Sequence, residues 1–248
     1  MVESDSSVLD GRRRVLAFVA LSAAVVAWFI AAPYLGAVSD WHAILIVSVG
    51  VLPGTLLLVY IALPLSRLRW SVLVLLAVAL ALIAFACSQG SGTGLALTEN
   101  FAKLWAAVFA GWAFLYLFAE VGLVVLIALL IPIVDAVSVF TPGAPTHEIV
   151  KHHIAIYNNV AVAFLGPHYA YAQLGPPDLL FYALFLGAAL RFRLRPGWTW
   201  LATTGFYAVS FPIAAATHAD GLPALPFLSA GFLVANGDLL WKAVRKRA

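Results

Sequence analysis

Long apolar runs, cut at intervals by short polar stretches, dominate this chain. A helix needs about twenty apolar residues to cross roughly 30 Å of hydrocarbon. On that measure, spans are expected at Val15–Ala37, Ala43–Pro64, Trp70–Cys87, Phe101–Ala119, Val121–Phe140, Asp178–Leu190, Trp198–Ala216 and Leu222–Leu240. From Leu104 to Val134 the only charged residue is Glu120, and the run is far too long for one crossing, so a tight turn is expected near Glu120. The Asp178 run is short unless its helix begins at Pro176 and the arginines beyond Leu190 snorkel to the interface. The pattern predicts an all-α polytopic membrane protein of about eight helices, or nine, forming one integral membrane domain. Its N-terminal helices occupy residues 1–120 and its second half residues 121–240.

Two connections stand out. Ser88–Asn100 is rich in Gly and Ser and reads as a plain connector. Thr141–Gly175 is longer than a compact protein usually keeps without a use. Val160-Ala-Val-Ala-Phe-Leu and His168-Tyr-Ala-Tyr-Ala alternate with period two, which suits extended chain better than a spanning helix. The segment reads either as an interfacial loop with an aromatic belt or as a strand edge that captures an extended substrate by β-augmentation.

Composition sharpens the class. Of 248 residues, 64% are hydrophobic and 10% charged, whereas a soluble domain is nearer half apolar and about a quarter charged. One cysteine, Cys87, excludes an internal disulfide framework. The net charge of +3 carries no nucleic-acid signal, because the basic residues sit at span ends and form no long patch. The apolar run after Arg12-Arg13-Arg14 is too long for a signal-peptide core, so it reads as a retained first span. With the N-terminus in the cytoplasm, eight spans place Arg12–Arg14, Arg67, Arg69, Arg191, Arg193, Arg195, Lys242, Arg245, Lys246 and Arg247 inside. Only Lys103 and Lys151 then fall outside, as the positive-inside rule requires. Both termini are expected to be cytoplasmic.

The chemistry concentrates in two acids. Asp135 lies near the outer end of one span and Asp178 at the outer start of the next. A carboxylate at that depth costs about 3 kcal/mol or more, so it faces a wet cavity or a partner. Two neighbouring carboxyls share one proton: one can act as general base on a water while the other polarises a carbonyl. The alternative is a pair of structural carboxylates; Asp178, just after Pro176-Pro177, is well placed to interact with a helix N-terminus. A third element is Gly221-Leu222-Pro223-Ala224-Leu225-Pro226, whose prolines lack N–H groups and free backbone carbonyls beside a cavity.

These residues carry a resemblance. Asp135-Ala-Val-Ser-Val, Gly175-x-x-Asp178 with Phe181-Tyr182, and Pro223-Ala224-Leu225-Pro226 occur in the order seen in the presenilin and signal peptide peptidase family, in its prokaryotic form. The resemblance covers Val121 to Leu240. It implies that Asp135 and Asp178 are the catalytic pair of an intramembrane aspartyl protease, and that Gly175, Pro223, Ala224 and Leu225 shape the site and position substrate. It further implies a cytoplasmic-membrane enzyme that uses neither metal nor cofactor. Its substrates would be single-span membrane proteins or signal-peptide-like segments within the bilayer. In this chain Pro177 stands where the family has glycine, and Val134 where it has tyrosine. Two other functions fit the same acids: a non-proteolytic relative that binds membrane helices, and a small transporter or proton relay.

A metal site is the rival chemistry. His147-Glu148-Ile-Val-Lys-His152-His153 resembles a helical zinc motif, but His147 and His152 are five apart, and only Glu148 and His152 have the one-face spacing. His42, His168 and His218 are isolated. Interfacial histidines are the simpler reading.

Overall fold

The computed structural model describes residues 2–36, 38–141, 143–144, 148, 152–167, 171–217 and 222–245. The protein is mostly helical, at 84%, with one small hairpin. Helix α1 (Val2–Ala31) ends in a 3-10 turn, Ala32–Tyr34. It is followed by α2 (Asp40–Ile61), α3 (Trp70–Ser88), α4 (Thr93–Phe114) and α5 (Val121–Phe140). Next come the short α6 (Ile154–Val160) and strands β1 (Val162–Leu165) and β2 (Tyr171–Leu174). Helices α7 (Pro176–Arg191), α8 (Pro196–Thr217) and α9 (Leu225–Arg245) complete the chain.

Among the described residues, five helical segments are long and apolar enough to cross a membrane: Gly11–Tyr34, Asp40–Ile61, Trp70–Ser88, Thr93–Leu117 and Val121–Phe140. The break expected near Glu120 lies between the turn Leu115–Leu117 and the start of α5 at Val121. In α2 the segment Ile46–Val51 is π-helical and directly precedes Leu52-Pro53. A wider turn makes room for the Pro53 ring, which supplies no amide hydrogen to the helical ladder.

One connection differs from expectation. Ser88–Asn100 is not a plain loop, because α4 already begins at Thr93 and only residues 89–92 link it to α3. Gly92 makes the turn at φ 119°, a region that favours glycine. The polar residues beyond it are helical, with Glu99 and Lys103 paired one turn apart. The long segment before Gly175 holds secondary structure too, namely α6 and the hairpin. The alternation in Val160–Leu165 corresponds to β1, while His168 lies outside the described residues.

Helix α7 is the centre of the bundle. It packs against α4, α8, α9 and α5, and every residue from Tyr182 to Ala189 is buried. A helix apolar on all sides is stable only when enclosed, and the enclosure compensates for its length of 16 residues. Small residues permit the approach. A side chain at Gly111 of α4 would collide with the Leu180 carbonyl, and one at Gly231 of α9 would come within 2.6 Å of Thr203 Cα on α8. Phe185 of α7 stacks on Phe232 of α9 at 4.7 Å between centroids.

At the far end of α7 from Asp178, Arg191 donates from Nη1 to the Leu115 carbonyl at 2.9 Å and lies over the Tyr116 ring. Arg195 forms a two-pronged bond to Asp238, at 2.7 and 2.8 Å, joining α9 to the chain just ahead of α8. Beneath it, buried Asn236 donates to Thr199 Oγ1 at 2.8 Å and accepts the Arg195 N–H at 3.0 Å.

Candidate active site

Asp178 is the third residue of α7, behind Pro176 and Pro177. Prolines suit the first turn of a helix, where an amide hydrogen would have no partner. The Asp178 side chain folds back so that Oδ2 accepts the Gly175 N–H at 3.0 Å. Asp178 therefore does cap its helix, as the structural reading of this residue expected, and the same bond aims its carboxyl. Gly175 itself has ordinary extended backbone, φ −65° and ψ 152°. Its contribution is the donated hydrogen and a close fit under Asp178 Oδ2 and the Tyr157 ring.

Asp135 sits on α5, one turn after Pro132. Its Oδ2 accepts the Leu225 N–H at 3.0 Å, and the Ala224 N–H is directed at the same carboxyl. The first amide hydrogens of a helix have no partner inside it, and together they form an anion site. Leu225 opens α9, so the segment Pro223–Pro226 serves Asp135 through N–H donors. The freed carbonyls inferred from the two prolines are not what contacts the acid. Pro223 and Leu225 are buried and Ala224 half-buried; Gly221 lies outside the described residues.

The two carboxyls lie near enough to interact electrostatically. Residues 43 positions apart in sequence and on different helices thus come within electrostatic range, while Pro177 is exposed on the outer side of its turn. Val134 is 60% exposed and points outward from the bundle.

Two tyrosines that the sequence does not single out complete the cluster. Tyr207 of α8 is fully buried, and its phenol faces the Asp178 carboxyl and, more distantly, Asp135. Tyr157 of α6 covers the site from the hairpin side, with its ring beside Gly175. Burial, and then the charges of Asp178 and Asp135, push its phenol well above the usual tyrosine range. Tyr157 therefore keeps its proton at neutral pH and remains a donor.

The hairpin leads directly into this centre, since β2 ends at Leu174 and Asp178 follows four residues later. Its antiparallel register pairs Val162 with Leu174, Ala163 with Gln173, Phe164 with Ala172 and Leu165 with Tyr171. Asn100 of α4 takes the Ala163 N–H on Oδ1 at 2.7 Å and donates from Nδ2 to the Ala163 carbonyl at 2.8 Å. Trp28 Nε1 of α1 donates to the Leu165 carbonyl at 2.7 Å. Backbone groups alternate in direction along a strand. Ala163 and Leu165 therefore face away from β2, and side chains occupy this edge of β1. By the same alternation, the outward groups of β2 are those of Tyr171 and Gln173.

Of the histidine-rich segment, Glu148 and His152 pair with each other at 3.8 Å on the surface, and His147 lies outside the described residues. Comparison with protein-family models, with curated proteins and with solved structures found no match.

Proposed function

We propose that this chain is an intramembrane aspartyl protease of the presenilin and signal peptide peptidase kind. It hydrolyses peptide bonds in or beside transmembrane segments of single-span proteins or signal-peptide-like substrates. In this reading α7, α8 and α9 also traverse the bilayer, giving eight helices with both termini in the cytoplasm, and no metal or cofactor takes part. The observation that carries the proposal is that the Asp135 and Asp178 carboxyls, on different helices, lie within electrostatic range of each other, each oriented by a backbone amide at 3.0 Å. An inactive relative in which Pro177 turns Asp178 aside is disfavoured by that orientation.

Chemically, one carboxylate takes a proton from a water whose oxygen adds to the scissile carbonyl carbon. The other, protonated, gives its hydrogen to the carbonyl oxygen. The resulting diol collapses as the amide nitrogen accepts a proton and the C–N bond breaks, releasing an acid and an amine. A helical peptide shields its amides, so substrate must be extended locally. The outward backbone groups of Tyr171 and Gln173 offer an edge on which an extended segment can pair, seven and five residues from Asp178.

The test is cleavage of a single-span reporter by purified protein in vesicles. Asp135→Ala and Asp178→Ala are each expected to abolish cleavage; retained cleavage by Asp178→Ala ends the assignment. Aspartate-dependent ion flux in the same vesicles without cleavage would favour a proton relay.

A further inference from the structure

We propose that the protein holds an anionic phospholipid at the ends of α1 and α2. Its phosphate sits on Arg13 and Arg14, and its acyl chains occupy the two cavities that flank Arg14. The site is independent of the protease reading. Helices α1 and α2 pack against each other; the spanning segment of the first begins at Gly11 and that of the second ends at Ile61. Where these two ends come together, a cavity of about 460 Å³ is lined by Arg13, Arg14, Tyr60 and Ile61, with Leu190 of α7 and Pro196 of α8. A second cavity, of about 560 Å³, is lined by Gly11, Val15 and Phe18 on one side and Leu65 on the other. Arg14, Ile61 and Pro64 border both. Each volume falls in the range of ligand sites, about 300–1,000 Å³.

Charge and depth select the occupant. The start of one spanning segment and the end of the next place Arg14 and Ile61 where hydrocarbon gives way to headgroups. The linings hold two arginines and no acid, and among the described residues no carboxylate pairs with Arg13 or Arg14. Guanidinium groups bind phosphate through paired N–H donors. Apart from Tyr60, the rest of both linings is apolar. A free phosphate gains nothing from apolar walls and an uncharged lipid gains nothing from the arginines, whereas an anionic phospholipid matches both. Past the cavities, Val15, Leu16 and Val19 are 59–63% exposed and continue the apolar surface along α1 for the chains. Arg67 and Arg193 follow closely on the lining residues Pro64 and Leu190. This end of the bundle is therefore the basic one, expected to face the cytoplasmic leaflet, where anionic lipids are found. Helix α1 is the least buried of the five spanning segments. A lipid lodged against α2, α7 and α8 supplies contacts to it that the protein does not.

The experiment uses the full-length protein in neutral-detergent micelles, with bound lipid counted by native mass spectrometry. Dioleoyl phosphatidylglycerol is set against dioleoyl phosphatidylcholine, which has the same chains and no net charge. The wild-type protein is expected to hold one phosphatidylglycerol about thirtyfold more tightly, about fivefold from each arginine. Its unfolding temperature is expected to rise with phosphatidylglycerol, because a ligand bound only by the folded state stabilises it. Arg13→Gln combined with Arg14→Gln is expected to abolish the preference and leave the lipid-free unfolding temperature unchanged. Arg12→Gln, outside both linings, is expected to retain the preference. Ala17→Trp, which fills the first cavity, is expected to weaken binding without removing either charge. Equal affinity of the wild type for the two lipids would overturn the site. So would an Arg12→Gln protein as impaired as the double variant, since the attraction would then be a diffuse property of the surface. Displacement of the lipid by inorganic phosphate or by glycerophosphoglycerol would show that the chains are not held. A double variant that fails to fold would assign the arginines to the fold and not to a ligand.

Discussion

The side chain of Asn100 pairs with both backbone groups of Ala163, at 2.7 and 2.8 Å, as a neighbouring strand would. This closes one edge of the hairpin with a residue from α4 and leaves β2 as the edge available for pairing. The two edges should therefore respond differently to substitution. Asn100→Ala is expected to expose the Ala163 amide and cost the hairpin about 1–3 kcal/mol, read as faster hydrogen exchange at Ala163. Gln173→Pro removes an outward N–H from β2 without touching the ladder to β1. It is expected to raise the reporter KM about tenfold while hydrogen exchange at Ala163 stays slow. An unchanged KM would exclude this edge as the docking strand.

The amide of Leu225 can be removed without breaking α9, because proline is favoured at the first position of a helix. Leu225→Pro also deletes a buried side chain, so Leu225→Ala is the reference. A hydrogen bond to a charged group contributes about 1.5–3 kcal/mol. Cleavage by Leu225→Pro should accordingly fall about ten- to a hundredfold below that of Leu225→Ala. Equal activities would show that the N–H does not orient Asp135.

Close packing of α8 on α9 gives a stability test apart from the chemistry. At Gly231 a methyl group would lie 2.6 Å from Thr203 Cα and 2.7 Å from its nitrogen, whereas at Gly237 it meets nothing within 4 Å. Gly231→Ala is expected to lower the unfolding temperature, with a cost of about 1–3 kcal/mol. Gly237→Ala, in an exposed stretch of the same helix, should be neutral or stabilising by up to about 1 kcal/mol. Thermal melts of the two variants in one detergent would compare them directly.

What could be read in advance follows from how rare a residue is in its surroundings. Asp135 and Asp178 are conspicuous because charges interrupt apolar runs, and the order of motifs suggested that they meet. The strand at Val162–Leu165 is visible as a period-two pattern. Tyr207 is not, because a tyrosine within an apolar run is ordinary; only its position beside Asp178 distinguishes it. Asn100 closes a polar stretch that reads as loop, and its role depends on a strand 63 positions away. The prolines at Pro223 and Pro226 point to a segment that contacts Asp135, but through an amide and not through freed carbonyls. Their effect on carbonyl pairing is local, whereas the N–H of Leu225 reaches a residue 90 positions away.

The two acid-bearing helices differ in how far their neighbours enclose them. Helix α7 is enclosed on all sides from Tyr182 to Ala189, so Asp178 stands at the end of a rod that can neither roll nor slide without disturbing its neighbours. Helix α5 buries only Val124 and Ala128, and Ile133, Val134 and Val137 around its acid face outward. The two acids are thus held in different ways, Asp178 by a helix enclosed by its neighbours and Asp135 from one side, by the amide that opens α9.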